Sequence, residues 1–229
     1  LTTIAASLGT ALENARLFDE TQRLLKITEE RNAELAVINS VQEGLASKLE
    51  FQSIIDLIGD KVTEIFNAQV TLISLYNPVL HEIDHKYLIE RSERIHFNRP
   101  VSIDQFRQRV VETRQPWLIN HDYQKITVEM GETLVLEGEE PKSLLFVPMI
   151  VGDKVTGIIS IQNLDTENAF SDSDVRLLST IASSMSVTLE NARLFEEVQK
   201  KNAEISETLE QQTATSDILR VTASSPTDI

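Results

Sequence analysis

Apolar residues follow two rhythms along this chain. From about Leu8 to Leu49 they recur at helical spacing, with Leu17, Leu24, Leu35, Ile38, Leu45 and Leu49 on one seam and Glu, Arg, Lys and Gln filling most of the remainder. That pattern predicts an amphipathic helix whose stripe is compatible with a heptad. Thr21, Thr28, Arg31 and Gln42 interrupt the seam, so the coiled coil it specifies is modest, and Gly44 marks a candidate bend. A second helix is predicted over Phe51 to Phe66, where Ile54, Ile58, Val62 and Ile65 lie three or four apart on one face.

The rhythm then shortens. Gln69 to Tyr76 mixes β-branched and aromatic residues and stops at Asn77-Pro78, which reads as a strand closed by a turn. His85 to Ile89 and Ile95 to Phe97 are shorter strand candidates. Phe106 to Thr113 predicts a short helix, ended by Arg114-Gln115-Pro116 and followed by an edge strand at Trp117 to Ile119. His121 to Ser143 has no firm period and reads as a cap or long loop with a helical turn near Ile126 to Gly131. Leu144 to Val151, the turn Gly152-Asp153-Lys154 and Val155 to Asn163 give the clearest hairpin. Asp172 to Glu197 is a long helix with Asp172 and Asp174 at its start, where carboxylates meet unpaired amide hydrogens. Helices flanking a run of mostly antiparallel strands define an α+β layer arrangement.

An internal echo sets the domain organisation. Leu12 to Phe18 reads LENARLF, and the same seven residues return at Leu189 to Phe195. The preceding text is also alike, and Ile38 to Val41 and Ile218 to Val221 open comparable stretches. A repeat this long means whole domains in tandem rather than stacked short motifs. The expected division is the end of a preceding unit and linker helix over 1–32, one complete domain over 33–194, a linker helix over 195–212, and the start of a following unit over 213–229. A chain that opens without methionine is expected to be a piece of a larger protein.

Composition narrows the function. Hydrophobic residues at 41% and charged residues at 25% are ordinary for a globular protein, and Gly and Pro are scarce at 7 and 6. Thirty-six acidic residues against 21 basic ones leave a formal charge of −15. Such a field argues against nucleic acid or a membrane surface as partner. No window is apolar enough to span a bilayer, and a cytoplasmic location is expected. Cysteine is absent, which removes disulfides, thiolate metal sites, cysteine nucleophiles and thioether-linked chromophores. No HExxH, phosphate loop or G-x-S-x-G motif is present, so no enzyme activity is expected. The acidic run Glu137-Gly138-Glu139-Glu140 lacks the alternating ligands of a calcium loop.

The hairpin Ser143 to Pro148 with Gly152 and Val155 to Ser160, the following Ala169-Phe170-Ser171-Asp172-Ser173-Asp174, and the closing Leu178 to Phe195 resemble the GAF family. The resemblance covers roughly Ala33 to Leu194. It implies a six-stranded, mostly antiparallel sheet with helices on both faces and long terminal linker helices, and a ligand pocket under the shorter helices. It also implies a bacterial signalling protein with a histidine kinase (two-component) or nucleotide cyclase output. Cyclic-nucleotide-binding members carry Asn-Lys, then Phe, then Asp-Glu. Here Asn163, Phe170 and Asp174 match, while Leu164 and Val175 replace the Lys and Glu, so that fingerprint is incomplete. A bilin has no cysteine to hold it, and a non-covalent haem has only His81, His85, His96 or His121 to choose from. No cofactor is therefore expected.

Candidate pocket residues are Tyr76, Phe97, Trp117, His121, Tyr123 and Phe146, each with plain packing or a local turn as its alternative. Met130 and Met149 read as fillers. Arg107, Arg109 and Arg114 read as a solvated helix face balancing nearby acids or, alternatively, as an anion site. The expected function is a non-catalytic sensory module. It binds a small molecule in the pocket and relays the event through terminal helices that pair in a homodimer, flanked by adjacent GAF and output domains. The alternative is a dimerisation spacer with no ligand.

Overall fold

The computed structural model describes residues 12–29, 31–32, 35–36, 51–132 and 139–224, with backbone alone at 214 and 217–224. Ala33, Ile38, Gly44, Leu45, Leu49 and the Glu137-Gly138 half of the acidic run lie outside the described residues. The chain forms two units, Leu1–Thr188 and Leu189–Ile229. Among the described residues no helix is long and apolar enough to cross a membrane.

In the first unit, residues 12–29 are helical (α1), and α2 spans Phe51–Phe66. Helix α2 buries Ile54, Ile55, Ile58 and Val62 on one side, as the spacing predicts. It ends because Asn67 turns left-handed at φ 45, letting the Asn67 and Ala68 amides donate to the Glu64 and Thr63 carbonyls at 3.4 and 3.3 Å. Strands β1 (Val70–Asn77), β2 (Glu82–Glu90), β3 (Glu93–Arg94), β4 (Val101–Ser102), β5 (Trp117–Ile119), β6 (Ser143–Val151) and β7 (Lys154–Asn163) build a single sheet. Its order is β3-β2-β1-β7-β6-β5, with β4 also pairing β2, and all pairs are antiparallel. The β6–β7 hairpin and β1 form the middle of that sheet. Helices α3 (Gln105–Thr113) and α4 (Tyr123–Glu129) stand between the strands in sequence, and α5 runs Asp172–Ser224.

Three expectations change. Ile95 to Phe97 is not a strand. The pairings on the outer edge of β2 belong to the two-residue β3 and β4, so the sheet counts seven strands rather than six. Pro100, which offers no amide hydrogen, interrupts the path between them. The helical turn near Ile126 to Gly131 begins earlier, as α4. The closing helix does not stop at Glu197 but continues to Ser224.

Cross-strand register separates two faces. On one, Tyr87, Ile73, Ile159 and Val147 form a row, and Ile89, Thr71, Ile161, Leu145 and Leu118 the next. Helix α2 covers this face, with Gly59 directly against the Tyr87 ring. The Tyr87 hydroxyl donates to Asp60 at 2.8 Å, and the Arg94 guanidinium lies 4.1 Å over its ring. On the opposite face, Leu88, Leu72, Ser160, Phe146 and Trp117 form one row, and Glu90, Val70, Gln162, Leu144 and Ile119 another. Helix α3 packs Phe106 and Val110 here, in a cluster with Ile83, Ile119, Leu144, Phe146 and Ile158. Helices thus stand on both faces.

Within the first unit, α5 buries Leu178, Ile181, Ala182 and Met185 at helical spacing. In the second unit, Leu194, Phe195, Val198, Ile205 and Leu209 are exposed, and α1 of the first unit exposes Leu12, Leu17, Phe18, Leu24 and Leu25. Leu189, five residues before Leu194, is buried.

Candidate functional site

Helix α3 positions the site. Asp104 is its N-cap, with one carboxylate oxygen accepting from the Arg107 amide at 2.8 Å and the other engaging the Arg107 guanidinium. Arg114, left-handed at φ 55, closes the helix by donating its amide to Val110. The cap fixes the rotation of the helix, so Phe106 and Val110, four residues apart, both face the sheet.

Phe106 is the centre of an aromatic cluster that the sequence did not reveal as such. Its ring stacks on Trp117 and Tyr123 at centroid distances of 5.5 and 5.8 Å and lies 6.2 Å from Phe146. Trp117 and Phe146 are 6.4 Å apart, and Tyr76 packs against the same cluster. Four of the six candidate residues therefore converge, and the signal that finds them is register: Trp117 faces Phe146 across the β5–β6 pair. Much of this cluster fills its own space.

The other two candidates stand elsewhere. Phe97 packs tilted against His85, with ring centroids 4.7 Å apart, and lines a separate open cavity of about 890 Å³ with Leu88, Glu90, His96, Arg99 and Val101. His121 is exposed and bonds its neighbour Asp122 at 2.9 Å, the local turn contact that was its alternative reading. The three arginines do not converge. Arg107 faces Asp104 and lies over Phe146, Arg109 lies 4.6 Å over Trp117, and Arg114 is the helix cap. Met149 is fully buried packing, as its side chain suggests.

A smaller cavity of about 240 Å³ opens beside the aromatic cluster, lined by Asp104, Arg107, Tyr123, Glu132, Leu144 and Gln162, among others. Glu90 and Leu88 of the larger cavity share sheet rows with Gln162 and Phe146 of the smaller one. Both cavities thus belong to the face that α2 does not cover. Burial of Tyr123 raises its phenol pKa, so its hydroxyl stays protonated.

Between the rows lies a histidine that the sequence offered only as one of four haem candidates. His85 Nδ1 is 2.8 Å from Ser74 Oγ. Burial first, and then the Arg107 guanidinium, lowers its pKa to about 4. The imidazole is thus neutral across the physiological range, and its stability effect has a fixed sign. Above pH 6.5 both folded and unfolded chains hold it neutral. As pH falls from 6.5 to about 4, the unfolded chain takes a proton that the folded one refuses, so stability drops across that window and then levels. His85→Gln, which still reaches Ser74, is expected to shrink the difference between urea midpoints measured at pH 7.5 and pH 4.5. An unchanged difference refutes a buried neutral His85.

The partial nucleotide fingerprint resolves into structure. The Asn163 side chain accepts the Asp165 and Thr166 amides at 3.1 and 2.8 Å, making the turn after β7. Phe170 is buried. Ser171 and Asp174 form a reciprocal cap at the start of α5, with the Ser171 amide donating to Asp174 at 2.7 Å and the Asp174 amide to Ser171 Oγ at 3.3 Å. Leu164, in place of the Lys, packs with Val70, Leu72 and Leu88. None of the fingerprint positions Asn163, Leu164, Phe170, Asp174 and Val175 lines either cavity.

Comparison with known proteins agrees with this geometry. The GAF domain family model matches residues 48–190. The structure is similar to the GAF domain of a phosphoenolpyruvate-protein phosphotransferase from Coxiella burnetii, at 16% identity over 72% of this chain and 96% of that one, with a TM-score of 0.54. It is similar to residues 122 to 287 of a methyl-accepting chemotaxis protein, at 13% identity over 69% and 98% of the two chains and a TM-score of 0.59. It is also similar to the phycoerythrobilin-bound GAF domain of a cyanobacterial phytochrome, at 14% identity over 72% and 99%, with a TM-score of 0.55. At these identities the structures speak for the fold alone. No curated protein matches the sequence. The family match contains every strand of the sheet and more than half of the chain, so the chain belongs to the GAF family.

Proposed function

We propose that this domain is a sensory module in which a small molecule, bound on the sheet face bearing Phe146 and Gln162, alters how long terminal helices pair in a homodimer. The observation that carries this reading is the uncovered apolar stripe. Leu17, Leu24 and Leu35 toward the N-terminus and Leu194, Val198, Ile205 and Leu209 toward the C-terminus are all exposed at helical positions. A helix that served one domain alone would need no such stripe along text rich in Glu, Lys and Gln, and a second copy of the same helix is its simplest cover. Parallel pairing places neighbouring domains of two chains together, which suits tandem units over 1–32, 33–194 and 213–229 and a kinase or cyclase output beyond them. The ligand acts only through differential affinity for two helix arrangements.

The competing reading is a dimerisation spacer without ligand, and one observation favours it: the Phe106, Trp117, Tyr123 and Phe146 rings stack on one another instead of on open space. Both readings require the dimer. Light scattering over a concentration series is expected to show dimer with an affinity on the order of micromolar, because Thr21, Thr28 and Arg31 weaken the seam. Leu24→Glu with Leu35→Glu is expected to give monomer with an intact sheet domain. A wild-type chain that stays monomeric at high concentration, or a double variant that still dimerises, refutes the helix-mediated contact.

A further inference from the structure

We propose that the smaller cavity beside Arg107 takes a free α-amino acid with an aliphatic side chain, held as the zwitterion; this rests on the small-ligand reading above and names its chemistry. Size is the first constraint. About 240 Å³ lies below the range of cavities that enclose drug-sized ligands, so the occupant is small.

The unmet hydrogen-bonding capacity of the wall is the second constraint. Arg107 uses Nη1 on Asp104. Its Nε is buried without a partner, and Nη2 has none among the described residues. These two donors lie parallel on one edge of the guanidinium plane, the edge that matches a carboxylate side-on. Nε itself is closed to solvent, so a carboxylate in the cavity meets the guanidinium at Nη2. Across the same cavity, both oxygens of Asp104 are occupied by Arg107, whereas Glu132 uses only Oε1, accepting the Gln105 amide at 2.5 Å. Its Oε2 has no partner among the described residues. Among the described residues, the cavity is therefore lined by a guanidinium with Nη2 unused and a carboxylate with Oε2 unused, and by the Gln162 amide, which can donate or accept.

Charge decides among ligand classes. Asp104 and Glu132 outnumber Arg107, so a lone anion meets net repulsion in an already acidic protein. A lone ammonium leaves the Arg107 edge empty and desolvated. A zwitterion satisfies both ends and brings no net charge. Leu144, Phe146, Phe106 and Pro141 supply the apolar wall for its side chain.

Trp117 is the only tryptophan and stacks on Phe106, which lines the cavity, so its fluorescence reports occupancy. The test titrates the purified chain with leucine, isoleucine, valine and methionine. It then takes three analogues of leucine: 4-methylpentanoate, which lacks the amine, 3-methylbutylamine, which lacks the carboxylate, and the uncharged 4-methylpentanamide. At least one amino acid is expected to give a saturable change, with its single-charge analogues about tenfold weaker or worse. Arg107→Gln is expected to abolish the advantage of leucine over the amine. Glu132→Gln, which retains an acceptor for the Gln105 amide, is expected to abolish its advantage over 4-methylpentanoate. That second variant keeps the test open should Arg107→Gln unfold. If the amide binds as well as leucine, the zwitterion inference fails while a small-ligand site stands. If none of the seven compounds perturbs Trp117, the inference fails and the spacer reading gains.

Discussion

Gly157→Ala is expected to destabilise the domain by roughly 3 kcal/mol, the upper end of what overpacking a core position costs. Gly157 lies opposite Leu75 on one side and Met149 on the other, on the strand between β1 and β6. A Cβ built there collides with the Ser74 carbonyl oxygen and with Met149 Cε. The methionine tip can swing aside; the carbonyl is part of β1 and cannot move without dragging the strand. Irregularities of register already lie on either side, between Ile73 and Ser74 and between Met149 and Ile150, so slack in the ladder has been used. Ser74 also holds His85 through its side chain, and a shifted Ser74 backbone loosens that contact as well. Urea unfolding gives the number. Adding Met149→Ala to Gly157→Ala is expected to recover nothing, because the carbonyl clash remains. A loss below 1 kcal/mol, or recovery in the double variant, places the strain on the methionine and refutes the backbone argument.

The hairpin was legible because β6 and β7 are buried along most of their length on both faces, so their sequence is a nearly unbroken apolar run between turn residues. Pro148 and Gly157 interrupt that run where stereochemistry allows it. Pro148 lies beyond the end of β5, where β6 has only β7 as partner, and a missing amide hydrogen is tolerated there. Strands β3 and β4 were hidden because two residues carry no period. Ile95 makes one contact to β2, its amide donating to the Leu88 carbonyl at 3.0 Å, and Phe97 packs against the His85 ring instead of extending the ladder. The site was half legible. Trp117, Tyr123, Phe146 and Tyr76 were found as aromatics, but Phe106, which joins them, looked like an ordinary helix residue. Its signal lay in the N-cap: Asp104 fixes where α3 begins, and hence that Phe106 and Val110 face inward. His85 was least legible, because alternation counted from Tyr87 would set it on the face that α2 covers, and only the irregular register beside Ser74 brings it to the pocket face.

The same distinction applies to the fingerprint. Asn163, Phe170 and Asp174 were read by likeness to nucleotide-binding relatives, yet each is accounted for by the connection from β7 to α5. A turn acceptor, an apolar plug and a helix cap at that spacing are what any chain needs to leave a sheet and enter a helix at a fixed angle. Motif residues that also solve a folding problem carry less information about ligands than residues that solve none. By that criterion Arg107 and Gln162 are the more informative pair: one has a buried donor without a partner among the described residues, and both line a cavity.

Asn120→Ala is expected to cost about 2 kcal/mol, although this residue touches neither cavity and carries no motif. It follows β5 and clasps the chain just before α5. Its side-chain nitrogen donates to the Phe170 carbonyl at 2.7 Å, and its oxygen accepts the Phe170 amide at 3.4 Å. Its own carbonyl accepts the Asn168 amide at 2.8 Å. Ser143, fully buried at the start of β6, completes the junction by donating to the Thr166 carbonyl at 2.9 Å and accepting the Ala169 amide at 3.1 Å. Alanine at 120 keeps the backbone contact to Asn168 but leaves both polar groups of Phe170 without a side-chain partner, beside a buried ring that water reaches poorly. Asn120→Asp separates this clasp from simple packing. An ionised aspartate still accepts the Phe170 amide but sets a negative oxygen against the Phe170 carbonyl, so it is expected to be at least as damaging as alanine at pH 7. A protonated aspartic acid regains the donor. Relative to the wild-type chain at each pH, the aspartate variant is therefore expected to recover stability between pH 7 and pH 4, whereas the alanine variant keeps a constant deficit. Urea midpoints of the three proteins at both pH values decide it: an alanine variant within about 0.5 kcal/mol of wild type, or an aspartate variant with no acid recovery, means that the clasp contributes nothing beyond shape.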